Sequence, residues 1–505
     1  MLINLDVSKA TGLDQIGPRL LKLSAEVISS SLTNVINCSI KQGIFPDQWK
    51  CAKVNPLFKK GSSNDVNNYR PISILPTLSK LIEKHVHDSF VNYLNHYKLL
   101  CKSQSGFRKK HSCETALVCM IDKWLAALND GEFVGVVMLD FSKAFDLCSH
   151  EILLQKLHIY KCGDNTIKWF KSYLTNRTQA VNLNGVISDN QITTCGVPQG
   201  SILGPLLFLL FINDLPMYIQ DNVTNVDMYA DDTTIYDINT SKSEVELNLQ
   251  AALNNVSAWC LNNGMVLNAT KTKVILITTP QKRSRLVNQP LRLKYKDVTL
   301  EVTTGDKILG IHINENLKWD NHIKFLRKKI SSNLWLLSRI KVFIPINYRI
   351  MFYKAYVQPH LDYCSIIWGS TKQSNIQVLV RLQRRACRII LGEQYTTLNE
   401  ALDKINSLNI KHRISLQKAK FMYRVSQNAV PSYIQTMFNY NIRRPDHLRS
   451  SNKTDFLIPK PNTELFKGSM SYSGVKVWNN IPNDIRQCQS IQSFTVNYTK
   501  WINAN

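Results

Sequence analysis

The sequence has 505 residues, of which 44% are hydrophobic and 9% aromatic, and this composition excludes disorder as the main state. Its net charge is +25, and the charge is unevenly placed, because residues 311–505 carry 29 Lys+Arg against 10 Asp+Glu. Such a field favours a polyanionic partner on the last third of the chain, with nucleic acid ahead of an anionic membrane surface. The length suggests roughly three folded units.

Three further observations indicate in which cellular compartment the protein lies. The longest apolar run, around residues 206–212, reaches about half of the ~20 residues that a membrane-spanning helix needs. The N-terminus has no basic segment followed by an apolar run, so no secretory signal is predicted. The twelve cysteines are scattered without zinc-ligand spacing, which indicates reduced thiols. We therefore expect an intracellular protein of the nucleus or cytoplasm that is neither secreted nor in a membrane.

Hydrophobic periodicity predicts the elements in chain order. Residues 1–55 are expected to be helical until Gly43 and Pro46 interrupt, and short strands then enclose the basic loop 59–64 before a helix at about 77–97. The strongest strand signals that follow are three apolar runs at 134–140, 226–236 and 274–277, with helices near 115–128, 150–174, 201–213 and 243–262. This order predicts a sheet with helices packed on one side. After Gly310 the chain is predicted to be helical and basic, and loop-rich after about residue 430.

Acidic residues lie at two of these predicted strands. Asp140 ends the first run, and Asp231 with Asp232 interrupts the second, between apolar and β-branched neighbours. Three carboxylates in one sheet repel one another unless a cation neutralises them, and Mg²⁺ is the natural one. A lone Asp at a strand end also suits a turn or a cap, so Asp140 alone leaves both interpretations open. An adjacent pair within a strand has no capping role, which favours a functional site.

A second unusual segment is the Gly/Pro-rich stretch from Gly196 to Pro205, immediately before an apolar helix. Its backbone N–H groups and the Gln199 amide could face a bound base or sugar. A simple tight turn that starts the helix explains the same residues equally well.

Together these motifs resemble the A, B and C motifs of reverse transcriptases, in family order. They are residues 139–146 (LDFSKAFD), 196–200 (GVPQG) and 229–232 (YADD). More narrowly, the sequence resembles the polymerases of non-LTR retrotransposons of the jockey-like and CR1-like kind. That resemblance also rests on residues 68–73 (NYRPIS), 105–108 (SGFR), 201–208 (SILGPLLF) and 212–216 (INDLP), and it extends to 9–12 (KATG) and 45–50 (FPDQWK).

The resemblance implies an α+β right-hand polymerase fold with fingers, a palm built on an antiparallel sheet with packed helices, and a helical thumb. The implied organisation is a helical lead-in at 1–39, fingers and palm at 40–313, a basic thumb-like region at 314–430 and a loop-rich C-terminal region at 431–505.

The resemblance also implies roles for individual residues. Asp140 and Asp231 would hold two Mg²⁺ ions, or Mn²⁺ in their place, with Asp232 beside them and the backbone carbonyl of Phe141 as a further ligand. Phe145 would exclude a ribose 2′-OH, and Gln199 and Gly200 would support the nucleotide and the template base. Arg70 and Arg108, with Lys59 or Lys60 as looser candidates, would grip the triphosphate. Lys271 would protonate the departing pyrophosphate, and residues 309–312 would form a primer-grip turn.

The implied function is RNA-directed DNA synthesis from a DNA primer on an RNA template, with dNTPs as substrates and the element's own RNA as the expected template. Lys324 to Arg349 holds seven basic residues and no acid, which favours template–primer contact over a solvated helix face. Asp146 and His150 are expected to cap the following helix.

Two rival functions stay open, a catalytically inactive RNA-binding remnant and a viral-type RNA-dependent RNA polymerase. Ala230 and Phe145 favour DNA synthesis over RNA synthesis. Since elements of this kind encode an endonuclease upstream, the chain is expected to be a fragment or a truncated copy.

Overall fold

The computed structural model describes residues 1–219, 224–286, 289–440 and 455–504. The strands within these ranges are β1 Cys51–Phe58, β2 Tyr69–Ile74, β3 Phe133–Leu139, β4 Arg177–Leu183, β5 Val186–Ile187, β6 Gln191–Thr193, β7 Asn225–Tyr229, β8 Asp232–Asn239, β9 Lys273–Ile277, β10 Lys294–Tyr295, β11 Val298–Thr299, β12 Glu301–Val302, β13 Gly305–Ile308 and β14 Ile311–Asn314. The fold is therefore of the mixed α and β kind.

The helices are α1 Pro18–Leu23, α2 Ala25–Gln42, α3 Thr77–His96, α4 Cys113–Asn129, α5 His150–Ile159, α6 Asp164–Leu174, α7 Leu203–Ile212, α8 Leu215–Ile219, α9 Lys242–Asn263, α10 Pro280–Arg285, α11 Asp320–Ile340, α12 Ile346–Phe352, α13 Gln358–Asp362, α14 Ser365–Trp368, α15 Gln373–Leu391, α16 Leu398–Lys404, α17 Ile410–Ser426, α18 Ser432–Gln435, α19 Val475–Asn479, α20 Asn483–Arg486 and α21 Ile491–Ala504. In this part of the chain, none is long and apolar enough to cross a membrane.

The predicted N-terminal helices are confirmed, and α2 ends where the sequence indicates. Gly43 caps it in the left-handed conformation at φ 69°, which glycine adopts without a steric penalty. The predicted boundary at residue 39 therefore lies inside α2.

The central sheet has the strand order β12-β9-β3-β8-β7, with β3 in the middle. Its pairings are antiparallel except that β12 runs parallel to β9. The side chains of β3 alternate between two hydrophobic cores. Val134 and Val136 join the core that includes α4, whereas Val137 and Leu139 join the core that includes α7 and α9.

The prediction that helices cover one side of the sheet is therefore wrong. Trp124 of α4 and Trp259 of α9 are both fully buried, one in each core. A strand covered on both faces is apolar at nearly every position, as β3 is, whereas a strand with one solvated face alternates with polar residues.

A second sheet lies in the first half of the chain and pairs β1 with β2 and β4. The β1–β2 pairing is antiparallel, with Arg70 opposite Leu57, and the β1–β4 pairing is parallel. The predicted strand, loop and strand around residues 53–73 are confirmed.

The C-terminal helices pack on the face of the central sheet that α4 covers. The α4 core continues through α11, α15 and α17 to Tyr498. Asp122 of α4 is buried and accepts hydrogen bonds from the backbone N–H groups of Met470 at 2.8 Å and Ser471 at 2.6 Å. The expected loop-rich segment 431–505 contains α18 to α21 among its described residues, and residues 441–454 lie outside them.

Candidate functional site

The acidic pair lies at a tight turn between two strands. Tyr229 at the end of β7 pairs with Asp232 at the start of β8, so Ala230 and Asp231 form a two-residue hairpin turn. The expectation that the pair lies within one strand is wrong. The sequence hid the turn because Ala230, and not glycine or asparagine, adopts the left-handed conformation at φ 58°. Such a conformation persists only where neighbouring groups enforce it.

Asp140 leaves the sheet beside this turn. The preceding residue, Leu139, is the last residue of β3 and pairs with Thr233 of β8. The Asp140 N–H donates to Thr272 Oγ1 at 3.3 Å, and the Asp140 carbonyl accepts from the Asn268 N–H at 2.8 Å. The loop before β9 therefore fixes the position of Asp140 from the side opposite the turn.

Phe141 continues this contact through an antiparallel bridge to Leu267. The two hydrogen bonds of the bridge use the Asp140 carbonyl and the Ser142 N–H. The bridge thus leaves the Phe141 carbonyl unused, as a further metal ligand requires. The Phe141 ring is buried against Trp259, with the ring centroids 6.1 Å apart.

Burial and mutual repulsion disfavour the charged forms of the two carboxylates at the turn. Loss of solvation raises the pKa of Asp231, the guanidinium of Arg70 lowers it, and the charge of Asp140 raises it again. Loss of solvation and the charges of Asp231 and Asp140 raise the pKa of Asp232, against smaller effects of Lys59 and Arg70. A cation bound among these carboxylates would relieve the repulsion.

The donor atoms therefore fit a hard divalent cation such as Mg²⁺. Across the described ranges no group of three or more His, Cys, Asp and Glu side chains is arranged so that it could hold a metal ion by itself. Such a group is not needed, since Mg²⁺ is usually held by one or two carboxylates together with substrate phosphates and water.

The predicted nucleotide-binding residues Phe145, Gln199 and Gly200 belong to two loops that are bonded to each other. The Phe145 carbonyl accepts from the Val197 N–H at 2.9 Å. The Gln199 amide donates to Asp146 Oδ1 at 2.8 Å. Gly200 has φ 131°, and a Cβ atom there would lie 2.3 Å from the Ser73 carbonyl oxygen, so only glycine allows this approach to β2.

Asp146 and His150 also hold this loop, and the expectation that they cap the following helix is wrong. Ser149 is the N-cap of α5, because its side chain accepts from the Ile152 N–H. His150 Nε2 lies 2.7 Å from the Gly196 carbonyl oxygen. The local pattern Asp–x₂–Ser–His gave no indication that Asp146 and His150 bind residues about fifty positions later in the sequence.

The two predicted triphosphate-binding arginines differ. Arg70 is exposed on β2 and is close enough to Asp231 and Asp232 for its charge to oppose the rise in the pKa of both. Arg108 is half-buried and donates to the carbonyl oxygens of Cys101 at 2.6 Å and Gln104 at 2.9 Å. Burial lowers the pKa of Arg108. The contacts of Arg108 are therefore those of a residue that holds its own loop together.

Lys271 lies on the loop that holds Asp140, with its side chain exposed. Its backbone N–H donates to the Asn268 side chain at 3.1 Å. Of residues 309–312, Leu309 and Gly310 form the turn between β13 and β14, and the other two begin β14. The Leu309 carbonyl accepts from Tyr363 Oη at 2.7 Å.

Sequence reasoning missed two buried polar residues beside the site. Gln104 hydrogen-bonds the acidic turn at Ala230. Glu83 accepts from the N–H groups of Ile202 at 2.7 Å and Leu203 at 3.2 Å, and so caps α7 behind the Gly200 loop. Gln104 directly precedes the SGFR motif and could have been found from that position. Glu83 lies in an ordinary helical pattern that gives no signal.

The fold and site define a class of protein in which carboxylates at one end of a sheet can hold cations against phosphate groups, with basic residues beside them. A family model described as reverse transcriptase (RNA-dependent DNA polymerase) matches residues 58–326. This match covers more than half of the chain, and the chain belongs to that family.

Proteins similar in sequence to this chain are RNA-directed DNA polymerases of mobile elements, and the resemblance to jockey-like polymerases is confirmed. The RNA-directed DNA polymerase from mobile element jockey of Drosophila melanogaster is 28% identical over 405 residues, which cover 78% of this chain and 43% of that protein. The protein of transposon BS from the same species is 28% identical over 437 residues, covering 84% and 48%. The chain thus spans about half the length of the curated relatives it matches.

A solved structure of apo telomerase from Candida tropicalis is 13% identical and covers 77% of this chain and 67% of that one, with a TM-score of 0.43. A structural similarity this weak does not bear on the function of the chain.

Proposed function

We propose that the chain is an RNA-directed DNA polymerase of a non-LTR retrotransposon. In this reaction the primer 3′-OH attacks the α-phosphate of a dNTP, a new phosphodiester bond forms, and pyrophosphate leaves. The observation that carries the proposal is the convergence of Asp140, Asp231 and Asp232 at one end of the central sheet, within reach of the charge of Arg70. Membership of the reverse transcriptase family supports it.

Asp140 and Asp231 would hold two Mg²⁺ ions, with Asp232 beside them and the Phe141 carbonyl as an additional oxygen ligand. Mn²⁺ would fit the same oxygen atoms. A bound pair of such ions activates the attacking hydroxyl and stabilises the leaving oxygen. The protein contributes fixed positions for the carboxylates, through the hairpin turn and through the loop that binds the backbone of Asp140.

The remaining site residues would handle the nucleotide. Arg70 would bind the triphosphate, since its exposed guanidinium is already close to the carboxylates. Phe145 would stand under the sugar, and Gln199 with Gly200 would support the base from the adjoining loop. Lys271 would give a proton to pyrophosphate. The resemblance implies that Arg108 grips the triphosphate, but its hydrogen bonds to Cys101 and Gln104 favour a role in holding its own loop in the fingers.

We assign residues 1–43, which include all of α2 and its glycine cap, to a helical lead-in, 44–313 to fingers and palm, 314–430 to a thumb-like region and 431–505 to a C-terminal region. Helix α11 presents Arg327, Lys328 and Lys329 to solvent, while Ile323, Leu326 and Ile330 are buried. A template–primer duplex along this exposed side would use the basic charge. The element RNA is the expected template.

The twelve unpaired cysteines suit a reducing intracellular compartment, the nucleus or the cytoplasm.

Primer extension tests the proposal. A DNA primer annealed to an RNA template is incubated with Mg²⁺ and either dNTPs or rNTPs, using wild type and Asp231→Ala. We expect dNTP incorporation by wild type and none by the variant. Equal incorporation by both proteins would contradict the catalytic assignment, and preferred rNTP use would indicate an RNA polymerase. RNA binding without incorporation by wild type would instead favour the inactive RNA-binding remnant.

A further inference from the structure

We propose that Gln104 is a positioning residue that holds the acidic turn in its working geometry. The inference rests on the proposed function, because the turn matters for catalysis only if Asp231 binds the reacting groups. Gln104 lies on the segment between α3 and α4, more than a hundred residues before the turn in the sequence, and its side chain is 1% exposed.

The Gln104 side chain makes two hydrogen bonds to Ala230 of the turn and one to Gly106, which contacts the turn. Its Oε1 atom accepts from the Ala230 N–H at 2.9 Å and from the Gly106 N–H at 2.7 Å. Its Nε2 atom donates to the Ala230 carbonyl oxygen at 3.3 Å. The amide thus binds both backbone groups of the residue that adopts the left-handed conformation.

The backbone beside Gln104 pairs with the strand that leads into the turn. The Ser105 N–H donates to the Met228 carbonyl at 2.8 Å, and the Met228 N–H donates to the Ser103 carbonyl at 2.9 Å. A Cβ atom on Gly106 would lie 2.4 Å from the Ala230 backbone nitrogen. The segment therefore lies directly on the turn, and Gln104 closes the contact.

The three hydrogen bonds of the Gln104 side chain, here called the Gln104 clamp, stabilise a turn whose own sequence disfavours its conformation. A left-handed alanine costs about 1–2 kcal/mol relative to an ordinary conformation, so the turn requires support from outside the hairpin. Without Gln104 the buried N–H groups of Ala230 and Gly106 would lose their acceptor. Relaxation of Ala230 would then rotate Asp231, the next residue, away from Asp140.

The C-terminal helices reinforce the clamp. Ser105 Oγ and the hydroxyl oxygen of Tyr433 in α18 are 2.8 Å apart, and the Tyr433 hydroxyl donates to Thr115 Oγ1 at 3.3 Å. Lys110 Nζ donates to the Asn428 carbonyl oxygen at 2.9 Å. Tyr433 lies beyond the residues 58–326 that match the family model, so a part of the chain outside that match supports the turn.

Kinetics with a matched control test the proposal on the full chain. Gln104→Met keeps the size of the side chain and removes its hydrogen bonds, whereas Gln104→Glu keeps an oxygen that can accept from both N–H groups. Gln383→Met is the control, because buried Gln383 makes the same kind of clamp in the C-terminal helices, to the Ile410 N–H at 2.9 Å and the Leu408 carbonyl at 3.1 Å.

We expect Gln104→Met to lower kcat for primer extension by about tenfold or more, while the KM for dNTP and the Kd for template–primer change by less than about twofold. Gln104→Glu is expected to recover part of kcat, and Gln383→Met to keep the wild-type kcat. A loss in Gln383→Met equal to that in Gln104→Met would reduce Gln104 to a general stability residue and overturn the proposal.

Hydrogen exchange of the peptide that contains Ala230 provides a readout that needs no catalysis. The Ala230 amide is expected to exchange faster in Gln104→Met than in wild type, and unchanged in Gln383→Met. Unchanged exchange in Gln104→Met would contradict the positioning role whatever the kinetics. A wild type that extends no primer would contradict the proposed function, and the exchange comparison would still decide whether Gln104 holds the turn.

Discussion

The ring of Phe145 is stacked on the ring of Phe208, with centroids 4.2 Å apart and planes 21° from parallel. Phe208 is fully buried in α7, so the stacking fixes the orientation of Phe145. Phe107 meets the same ring edge-on at 6.4 Å. A half-buried aromatic ring held from two sides has little freedom to move aside for a larger sugar.

Phe145→Ala is expected to lower discrimination against ribonucleotides by roughly tenfold or more, because the space that the ring fills becomes available to a 2′-OH. The measurement is the ratio of kcat/KM for a dNTP and the matching rNTP. Phe107→Ala removes one of the two ring contacts and leaves Phe145 stacked on Phe208, so it should lower the discrimination less than Phe145→Ala does. An unchanged ratio in Phe145→Ala would remove Phe145 from sugar selection.

Arg70→Ala is expected to raise the KM for dNTP by roughly tenfold, because the variant cannot form a charge-assisted hydrogen bond to phosphate. Template–primer affinity should change little. Steady-state extension at varied dNTP concentration measures the effect, with Lys161→Ala as a control for the loss of one exposed positive charge. Equal changes in KM for the two variants would show that Arg70 contributes only general charge.

Replacement of Arg327, Lys328 and Lys329 by alanine is expected to flatten the salt dependence of template–primer binding. For every phosphate that the protein no longer neutralises, the slope of log K against log salt concentration becomes shallower by roughly 0.7 to 0.9. Fluorescence anisotropy at several salt concentrations gives the slope. The triple variant at Lys22, Lys41 and Lys161 removes the same charge from exposed positions elsewhere and should keep the wild-type slope. Identical slopes in the two triple variants would exclude α11 from the binding surface.

The lowered pKa of buried His322 predicts that the folded protein loses stability as the pH falls. Burial, with the charges of His312 and Lys307, lowers the pKa of His322 to about 4, and its Nε2 atom has no hydrogen-bond partner in the described structure. Between pH 6.5 and 4 the unfolded chain binds a proton at this residue and the folded chain does not, so stability falls as pH falls through that window. The difference reaches about 2 kcal/mol at pH 5.

The free energy of unfolding in urea, measured at pH 7 and pH 5, checks this prediction. His322→Gln should lose less stability between the two pH values than wild type, and His158→Gln, at an exposed position, should behave as wild type. A wild-type pH dependence in His322→Gln would contradict the role of His322.

The sequence predicted the long elements well, because their signals are local. The helices expected at 77–97 and 243–262 are Thr77–His96 and Lys242–Asn263. Periodic apolar residues define such helices without reference to the rest of the chain, and Gly264 also caps the second one. The three acidic positions also followed from local motifs, and the structure brings them together.

The remaining features depend on contacts between distant residues. The hairpin turn at Ala230 has no turn residue of its own and is held by Gln104, and Asp146 binds Gln199 rather than its own helix. The hydrophobic core on the α4 face of the central sheet is completed by C-terminal helices that begin about 180 residues after β3. None of these partners can be read from spacing along the chain, since the fold alone brings them together.

Single-nucleotide incorporation by Asp231→Asn and Asp237→Asn tests the central claim most directly. Both variants exchange a carboxylate for an amide on the same hairpin, and Asp237 is buried in β8 away from the turn, where it binds Asn248. With an RNA template, a DNA primer, one dNTP and Mg²⁺, we predict that Asp237→Asn retains a rate near that of wild type. Asp231→Asn should be at least about a hundredfold slower. Incorporation by Asp231→Asn at the wild-type rate would contradict the account.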